Sequence, residues 1–312
     1  MPLDLVLRGI FSAAFVASVL RISTPLILPA LGGLLTDLAG ATNIALEGIM
    51  LVAAFSGVVV SAYTHQVGLG VLAGIMAGML LSAILAYFHL YLNTDVFLAG
   101  IALNIMASGG TIFLLYTITG DKGASSGLAS GMVPVIDIPL VREIPFLGTI
   151  ISGQNIFTYA AFLLTAGVAL FLYRMRMGYH LRAVGENPEA AASVGINVKH
   201  VQLAAFLMSG FLAALGGLDL SMAYLTLFQR EMTAGRGFIA LAAVYLGGRK
   251  PWGVLLAAIL FGFADAFSNQ LAPLKIPSQL VQIIPYAVTI IALVLYAAQQ
   301  RARSSGQQRS MK

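Results

Sequence analysis

The chain alternates between long apolar runs and short polar breaks. Because about 20 apolar residues cross the hydrocarbon core of a bilayer as an α-helix, each long run predicts a membrane span. The pattern as a whole predicts an all-α, polytopic transmembrane helical bundle of about nine spans, with eight and ten as alternatives. The runs occupy residues 10–35, 44–63, 67–92, 96–118, 156–173, 201–225, 238–246, 254–271 and 280–298.

Two of these runs are irregular. Run 10–35 is long enough to cross but contains Arg21, Pro25 and Pro29, which predict one kinked or tilted span, with two short re-entrant segments as the alternative. Run 238–246 is too short for a straight crossing. It is either a half-helix or the buried centre of a helix that extends at both ends. The polar segment 119–155, rich in Gly, Ser and Pro, predicts no span.

Composition agrees with a membrane protein. The chain is 59% hydrophobic and 9% charged, whereas about a quarter of the residues of a soluble domain are charged. Cysteine is absent, which excludes disulfides and thiolate zinc sites. The net charge of +5 does not indicate nucleic acid as a partner, because the basic residues flank spans, where membrane orientation accounts for them. The expected surroundings are a lipid bilayer.

The basic residues also predict the orientation. Apart from the basic C-terminal tail, they cluster in loop 174–202 and in one later turn: Arg174, Arg176, Arg182, Lys199, Arg249 and Lys250. If run 238–246 counts as a crossing, both regions and the tail share one side, which the positive-inside rule places in the cytoplasm. We therefore predict nine crossings with the N-terminus outside and the C-terminus in the cytoplasm. Residues 1–298 form one transmembrane domain, and 299–312 form a disordered tail.

Loop 174–202 contains a predicted short helix. Asn187 can cap its N-terminus, Pro188 suits its first turn, and Glu189 favours the positive end of the helix dipole. Gly195 can end it. Such a helix between two spans is suited to transmit force from a soluble partner, and an ordinary solvated loop is the alternative.

Several polar residues fall inside predicted spans, where such residues are costly and commonly mark a solute path. They are Glu47, Asn104, Asp219, Asp265 and Asn269, and Asn43 lies directly before the second span. Four of them also have a structural alternative. Glu47 can cap a helix start, Asn104 can bridge helices, and the two aspartates can pair with Arg230 or Arg236 or reach outside water. No carboxylate–histidine relay runs through the spans, and no G-x-x-x-x-G-K-[ST] loop occurs, so neither proton coupling nor ATP hydrolysis by this chain is expected.

A faint internal similarity relates residues 39–46 to residues 234–241, which share Ala-Gly at their start and Ile-Ala-Leu at their end. In the predicted topology the helix after the first copy runs outward and the helix after the second runs inward. Inverted repeats with broken helix starts build the mid-membrane site of many transporters. An inverted repeat is one explanation, and chance is the other.

Three stretches resemble the permease subunits of bacterial ABC importers, in the group of branched-chain amino acid, simple sugar and nucleoside permeases. They are residues 25–55, with the sequence NIALEGIML, residues 178–198, with an E-A-A core, and residues 232–267. TAGRGFIALAAV and FGFADA in the third stretch are most similar to the nucleoside branch. Residues 36–42 depart from the family pattern, which weakens the inference about substrate at that end.

The resemblance implies a transport subunit in the inner membrane and not an enzyme. A cytoplasmic ABC ATPase would bind ATP and Mg²⁺, so no cofactor is expected in this chain. The other implied partners are a second homologous or identical permease subunit and an extracytoplasmic solute-binding protein. The six polar residues above would line the path, with Asn104 as the most direct solute contact. ATPase coupling would fall to Arg182, Glu186, Pro188, Glu189, Ala190, Ala191 and Gly195. The alternatives are a sugar or branched-chain amino acid permease, and an ion-coupled secondary transporter.

Overall fold

The computed structural model describes residues 12–128, 130–139, 144, 147–271, 287, 290, 291 and 294. These residues are mainly helical. In chain order the first helices are α1 (Ala13–Leu38), α2 (Leu46–Thr64), α3 (Val67–Leu90), α4 (Val96–Thr119) and α5 (Leu147–Ile151). They are followed by α6 (Ile156–Arg174), α7 (Arg176–Glu186), α8 (Pro188–Ser193), α9 (Val198–Leu218), α10 (Arg236–Leu246) and α11 (Pro251–Leu271). Strands β1 (Val135–Ile136) and β2 (Gln154–Asn155) pair antiparallel, and a π-helical turn, Asp219–Tyr224, extends α9.

Within these described residues, seven helices are long and apolar enough to cross a membrane: α1, α2, α3, α4, α6, α9 with its π-helical turn, and α11. The prediction of a polytopic helical bundle is therefore confirmed. Predicted span 280–298 and tail 299–312 lie outside the described residues, except for positions 287, 290, 291 and 294. The count of nine stays a prediction.

Polar side chains set the helix starts. At each of five starts a side-chain oxygen accepts a hydrogen bond from the backbone N–H of the residue three positions further along. This bond satisfies one of the donors that a helix leaves unpaired at its start. The capping residues are Ser12, Asp95, Asn155, Asn187 and Asn197.

Helix α1 is one continuous helix in spite of its two prolines, so the single-span interpretation of run 10–35 is confirmed. Pro25 and Pro29 each remove a backbone hydrogen bond, which a helix tolerates when its neighbours enclose it. From Ile22 to Asp37 every residue of α1 is buried. Gly216 of α9 makes room for it, because a Cβ there would lie 2.9 Å from Cδ of Pro29.

Small residues allow α3 to approach α2 and α9. Gly70, Gly74 and Gly78 recur every fourth residue on one face of α3. A Cβ at Gly74 would lie 2.8 Å from the carbonyl oxygen of Ala53 in α2. Close backbone approach of this kind is how helices associate in lipid, where apolar side chains gain little from leaving the surrounding hydrocarbon.

The bundle has two distinct ends. We call the end that carries α7, α8 and the α10–α11 turn the basic end, since most of the basic loop residues lie there. Gly185 of α7 packs on Gly40, and the neighbouring Asp37 pairs with Arg249 of that turn. At the opposite end, the N–H of Gly131 donates to Ser61 near the end of α2. The prediction that loop 174–202 and the turn at Arg249 share one side agrees with this arrangement.

Helices α2 and α10 both begin in the middle of the bundle. Ser209 is 11 residues into α9, or about 16 Å from the basic end, and it accepts a hydrogen bond from Asn43, just before α2. From there α2 runs to the opposite end. Helix α10 has 11 residues, about 16 Å, which is half of a hydrocarbon core of about 30 Å. It is a half-helix, which resolves the two alternatives for run 238–246.

Candidate functional site

The start of α2 is capped by side chains from outside the helix. Oδ1 of Asn43 accepts the N–H of Ala45 at 3.0 Å, and Nδ2 of Asn43 donates to Ser209 at 3.0 Å. Asn104 of α4 reaches the same turn, where Oδ1 accepts the N–H of Gly48 at 2.8 Å and Nδ2 donates to the carbonyl oxygen of Ile44 at 2.9 Å. The two asparagines therefore satisfy backbone groups that a mid-membrane helix start would otherwise leave unpaired.

The start of α10 is capped by Glu47. Its Oε1 accepts the N–H of Gly235 at 2.7 Å, and its Oε2 accepts the N–H of Gly237 at 2.6 Å. A carboxylate at a helix N-terminus also interacts favourably with the helix dipole. Both glycines are needed: Gly235 has φ +77°, and a Cβ at Gly237 would overlap the backbone nitrogen of Glu47.

Helices α2 and α10, which begin within the two similar segments 39–46 and 234–241, therefore start close together in the middle of the bundle. Helix α2 runs from this point to one end of the bundle, and α10 runs to the other. The directions match those that the predicted topology assigned to the two copies. That the segments form an inverted repeat stays a prediction.

A second cluster of polar residues lines a cleft that lies between the middle of the bundle and the end opposite the basic end. We call it the polar cleft. Nη2 of Arg236 pairs with Oδ2 of Asp265 at 3.2 Å, with about a quarter of each side chain exposed. Asn269 is exposed one turn further along α11. The residues that line the cleft are Arg21, Ile22, Pro25, Leu220, Tyr224, Arg236, Asp265 and Asn269.

Asp219 is buried beside the polar cleft, in the first position of the π-helical turn. Nδ2 of Asn155 donates to its Oδ1 at 2.9 Å, and Thr158 donates to Oδ1 of the same asparagine at 3.1 Å. Among the described residues, Oδ2 of Asp219 has no hydrogen-bond partner. Inserted π-helical turns occur frequently at functional sites.

The six polar residues predicted from the sequence thus fall into two groups. Asn43, Glu47 and Asn104 hold the starts of α2 and α10. Asp219, Asp265 and Asn269 lie at or beside the polar cleft. The prediction that an aspartate pairs with Arg236 holds for Asp265, whereas the hydrogen bond of Asp219 comes from Asn155. Arg21 also lines the cleft and was not predicted as a site residue. Its charge within a predicted span was the available signal.

At the basic end, the predicted short helix is present as α8. Asn187 caps it by accepting the N–H of Ala190 at 2.9 Å, Pro188 opens it, and Gly195 follows it with φ +86°. Helix α7 was not predicted. It precedes α8 and places the guanidinium group of Arg182 over the rings of Tyr173 and Tyr179, 5.3 and 5.1 Å from their centroids.

The α7–α8 pair presents an exposed surface away from the bundle. Glu186, Pro188, Glu189 and Ala190 are exposed, and Ala191 is buried against the bundle. Val194 is 75% exposed just beyond α8. An apolar side chain at such a position is suited to a protein contact. In the part of the chain that the structure describes, no group of three His, Asp or Glu residues is placed to hold a metal ion.

A multi-pass bundle in which two helices begin close together in the middle, with a capped helix pair at one end, is typical of membrane transport proteins. The chain belongs to the family described as the permease component of branched-chain amino acid transport systems, whose pattern matches residues 15–293. The family resemblance inferred from the three stretches is therefore confirmed.

Individual relatives show which members of this permease family the chain resembles. The chain is 35% identical to the nucleoside ABC transporter permease protein NupC of Lactococcus lactis subsp. cremoris, over 90% of this chain and 91% of the relative. It is also 35% identical to the guanosine ABC transporter permease protein NupQ of Bacillus subtilis, over 89% and 90%. A putative glucose ABC transporter permease protein of Haloferax volcanii, TsgC13, is 34% identical over 82% of this chain and 77% of the relative.

Proposed function

We propose that this chain is the permease subunit of an ABC importer that carries nucleosides across the bacterial cytoplasmic membrane. Two relatives that it matches over most of its length are named for nucleoside and guanosine transport. The observation that carries the proposal is the polar cleft, which places charged and amide side chains within spans that are otherwise apolar. Such groups commonly mark a solute path.

The chemistry of the polar cleft suits a neutral, polar ring compound. The positive charge of Arg236 is matched by the carboxylate of Asp265, with which it pairs, so that among the lining residues only Arg21 adds a further charge. Asn269 and the Arg236–Asp265 pair offer hydrogen-bond donors and acceptors. The ring of Tyr224, with Leu220, Ile22 and Pro25, offers apolar surface. Small-molecule sites commonly combine apolar walls with a few well-placed polar groups.

Asn43, Glu47 and Asn104 act on the same path through the backbone. Their hydrogen bonds fix the starts of α2 and α10 at the middle of the bundle. In this proposal the three residues shape the path, while Asp265 and Asn269 contact the solute directly.

The α7–α8 pair receives the force of the ATPase. Its exposed acidic and apolar residues provide the contact, and Ala191 and Gly195 set the position of α8. The proposed coupling residues are Arg182, Glu186, Pro188, Glu189, Ala190, Ala191 and Gly195, with Val194 added on the basis of its exposure. ATP and Mg²⁺ are bound by that ATPase and not by this chain.

We extend the proposal to the rest of the assembly, supported by membership of a permease family and by the position of the basic loop residues. The basic end faces the cytoplasm, the chain crosses the membrane nine times, and the C-terminus is cytoplasmic. A second homologous or identical permease completes the path, and an extracytoplasmic solute-binding protein delivers the solute at the end opposite the basic end.

Reconstitution tests the proposal. The permease pair, the ATPase and the solute-binding protein are placed in proteoliposomes, and uptake of tritiated guanosine is compared with uptake of glucose and leucine. We expect guanosine uptake that requires ATP. Glucose uptake instead would favour a sugar permease, as the relative TsgC13 suggests. Guanosine uptake that persists without the ATPase would identify a secondary transporter.

Single cysteines test the orientation, because the chain has none of its own. A cysteine at Ser193 or Ser304 is expected to react only with a reagent that enters the cytoplasm, and a cysteine at Ser126 with an impermeant reagent from outside. Labelling of Ser193 from outside would reverse the proposed topology.

A further inference from the structure

Asp37, the next-to-last residue of α1, joins three parts of the chain at the basic end, although its side chain is only 8% exposed. Its Oδ1 accepts hydrogen bonds from the hydroxyl groups of Thr42 and Tyr245, each at 3.1 Å. Its Oδ2 pairs with Nε of Arg249 at 2.5 Å, and Nη2 of the same arginine donates to the backbone carbonyl oxygen of Asp37 at 2.8 Å. We call Asp37, Thr42, Tyr245 and Arg249 the Asp37 joint.

The Asp37 joint holds the end of α10. Tyr245 is the penultimate residue of α10, and Arg249 lies in the turn that follows, in a left-handed conformation with φ +56°. Arg249 is thus held to Asp37 at two points, by an ion pair to the carboxylate and by a hydrogen bond to the backbone carbonyl oxygen. The last turn of α10 is therefore tied to the last turn of α1.

The turn after Asp37 is also where α7 rests. A Cβ at Gly185 would overlap the carbonyl oxygen of Leu38, and Gly40, with φ +80°, faces Gly185 at close range. Gln202, near the start of α9, donates to the carbonyl oxygen of Ala39 at 3.1 Å. A displacement of α7 thus acts on residues 38–40 directly, because backbone meets backbone there without an intervening side chain.

The other end of α10 reaches the proposed solute path. Glu47 holds the N–H groups of Gly235 and Gly237, and Arg236 pairs with Asp265 in the polar cleft. Helix α10 is short, continuous and fixed at each end by a carboxylate. A short helix of this kind moves as a rigid body, so a displacement of Tyr245 also displaces Arg236.

We propose that the Asp37 joint transmits movement of the α7–α8 pair through α10 to the polar cleft, with Asp37, Tyr245 and Arg249 as positioning residues for transport. This inference rests on the proposed function, since it needs an ATPase that moves α7 and α8. It adds a route within this chain: α7, residues 38–40, the Asp37 joint, α10, and then the Arg236–Asp265 pair.

The first test compares variants of Arg249 with a variant of the neighbouring Lys250 in the complete reconstituted importer. Arg249→Gln removes the ion pair with Asp37. Lys250→Gln removes the same charge one residue along, from an exposed side chain. We expect Arg249→Gln to lower guanosine uptake per ATP hydrolysed by roughly 5- to 150-fold, the usual range for a coupling between sites, and Lys250→Gln to leave it unchanged. Arg249→Lys, which keeps the charge, restores part of the coupling.

The second test does not depend on the solute. A single cysteine replaces Phe238, a half-exposed residue in the first turn of α10, and its rate of reaction with a maleimide is measured with and without ATP, using an ATPase that binds but does not hydrolyse it. We expect ATP to change the rate in the otherwise unaltered complex and in Lys250→Gln, but not in Arg249→Gln or Asp37→Asn.

The outcomes separate this inference from the proposed function. Absence of guanosine uptake by the unaltered complex contradicts the nucleoside function, while the labelling experiment still tests the joint. If Arg249→Gln shows the same uptake per ATP and the same ATP-dependent labelling as Lys250→Gln, the joint does not transmit movement. A lower yield of Arg249→Gln with normal coupling in the complexes that form shows a purely structural role and also contradicts the inference.

Discussion

The two polar groups inside the bundle differ in what their side chains bind. At the starts of α2 and α10, Asn43, Asn104 and Glu47 bond to backbone groups, and Asn43 is fully buried. In the polar cleft, Asp265 is partly exposed and Asn269 is exposed, so both keep polar atoms available. Polarity within a span therefore has two uses here. A polar side chain whose hydrogen bonds go to a helix start has a structural role. A polar side chain that stays exposed in the cleft can bind a solute.

The largest effect on stability is expected at Glu47. Glu47→Leu leaves the N–H groups of Gly235 and Gly237 without their acceptor, at a cost of about 1–3 kcal/mol each, or roughly 2–6 kcal/mol together. We expect little folded protein and a clearly lower Tm in detergent. Glu47→Gln keeps one carbonyl acceptor, so its Tm should lie between those of the unaltered protein and Glu47→Leu. An unchanged Tm for Glu47→Leu would show that the cap contributes little.

In the polar cleft the expected effect is on transport. Asn269→Leu removes an exposed amide, and we expect Tm to change little while uptake per assembled complex falls by roughly 5- to 150-fold, as for a lost hydrogen bond worth about 1–3 kcal/mol. Thr64→Val, an exposed hydroxyl at the far end of α2, serves as the control and should transport normally. Normal uptake by Asn269→Leu would remove the polar cleft from the path.

Asn104 distinguishes the two groups most sharply, because the sequence analysis treated it as the most direct solute contact. Its two hydrogen bonds to the start of α2 lead us to expect that Asn104→Leu lowers the free energy of unfolding by about 1–2 kcal/mol, in the range of polar contacts between membrane helices. Uptake per assembled complex should stay close to normal. If uptake per complex falls while folding is intact, Asn104 contacts the solute after all.

The smallest effect on stability is expected at the exposed α7–α8 pair, where function depends on shape. Gly195→Trp places a bulky side chain at φ +86° beside α8, at a cost of about 1–2 kcal/mol for the left-handed conformation. Gly195→Asn is the matched control, since asparagine tolerates that conformation. We expect both proteins to insert, and only Gly195→Trp to lose stimulation of ATP hydrolysis by the loaded solute-binding protein. Equal stimulation in both would exclude a role for this turn.

Much of the fold could be predicted from the chain alone, because lipid imposes a simple rule. Every backbone group inside the bilayer must be satisfied within the protein, so long apolar runs become helices. The bounds of α3 and α6 differ from the predicted runs by no more than two residues. The α8 cap at Asn187 was readable for the same local reason, since an asparagine followed by proline and glutamate favours a helix start. Helix α7, with its polar and basic sequence, lacked such a signal at its start.

The site depended on contacts that no local pattern records. The sequence showed that Glu47 and Asn104 are polar and lie within spans, and only the tertiary structure decided that both cap helix starts. In the same way, Arg21 and Asp37 are charged residues of one helix, yet one lines the polar cleft and the other ties α1 to α10. Burial and periodicity are properties of a segment and can be read along the chain. Hydrogen-bond partners up to 212 residues apart are set by how the helices pack, and the packing decides which polar groups are used up and which remain.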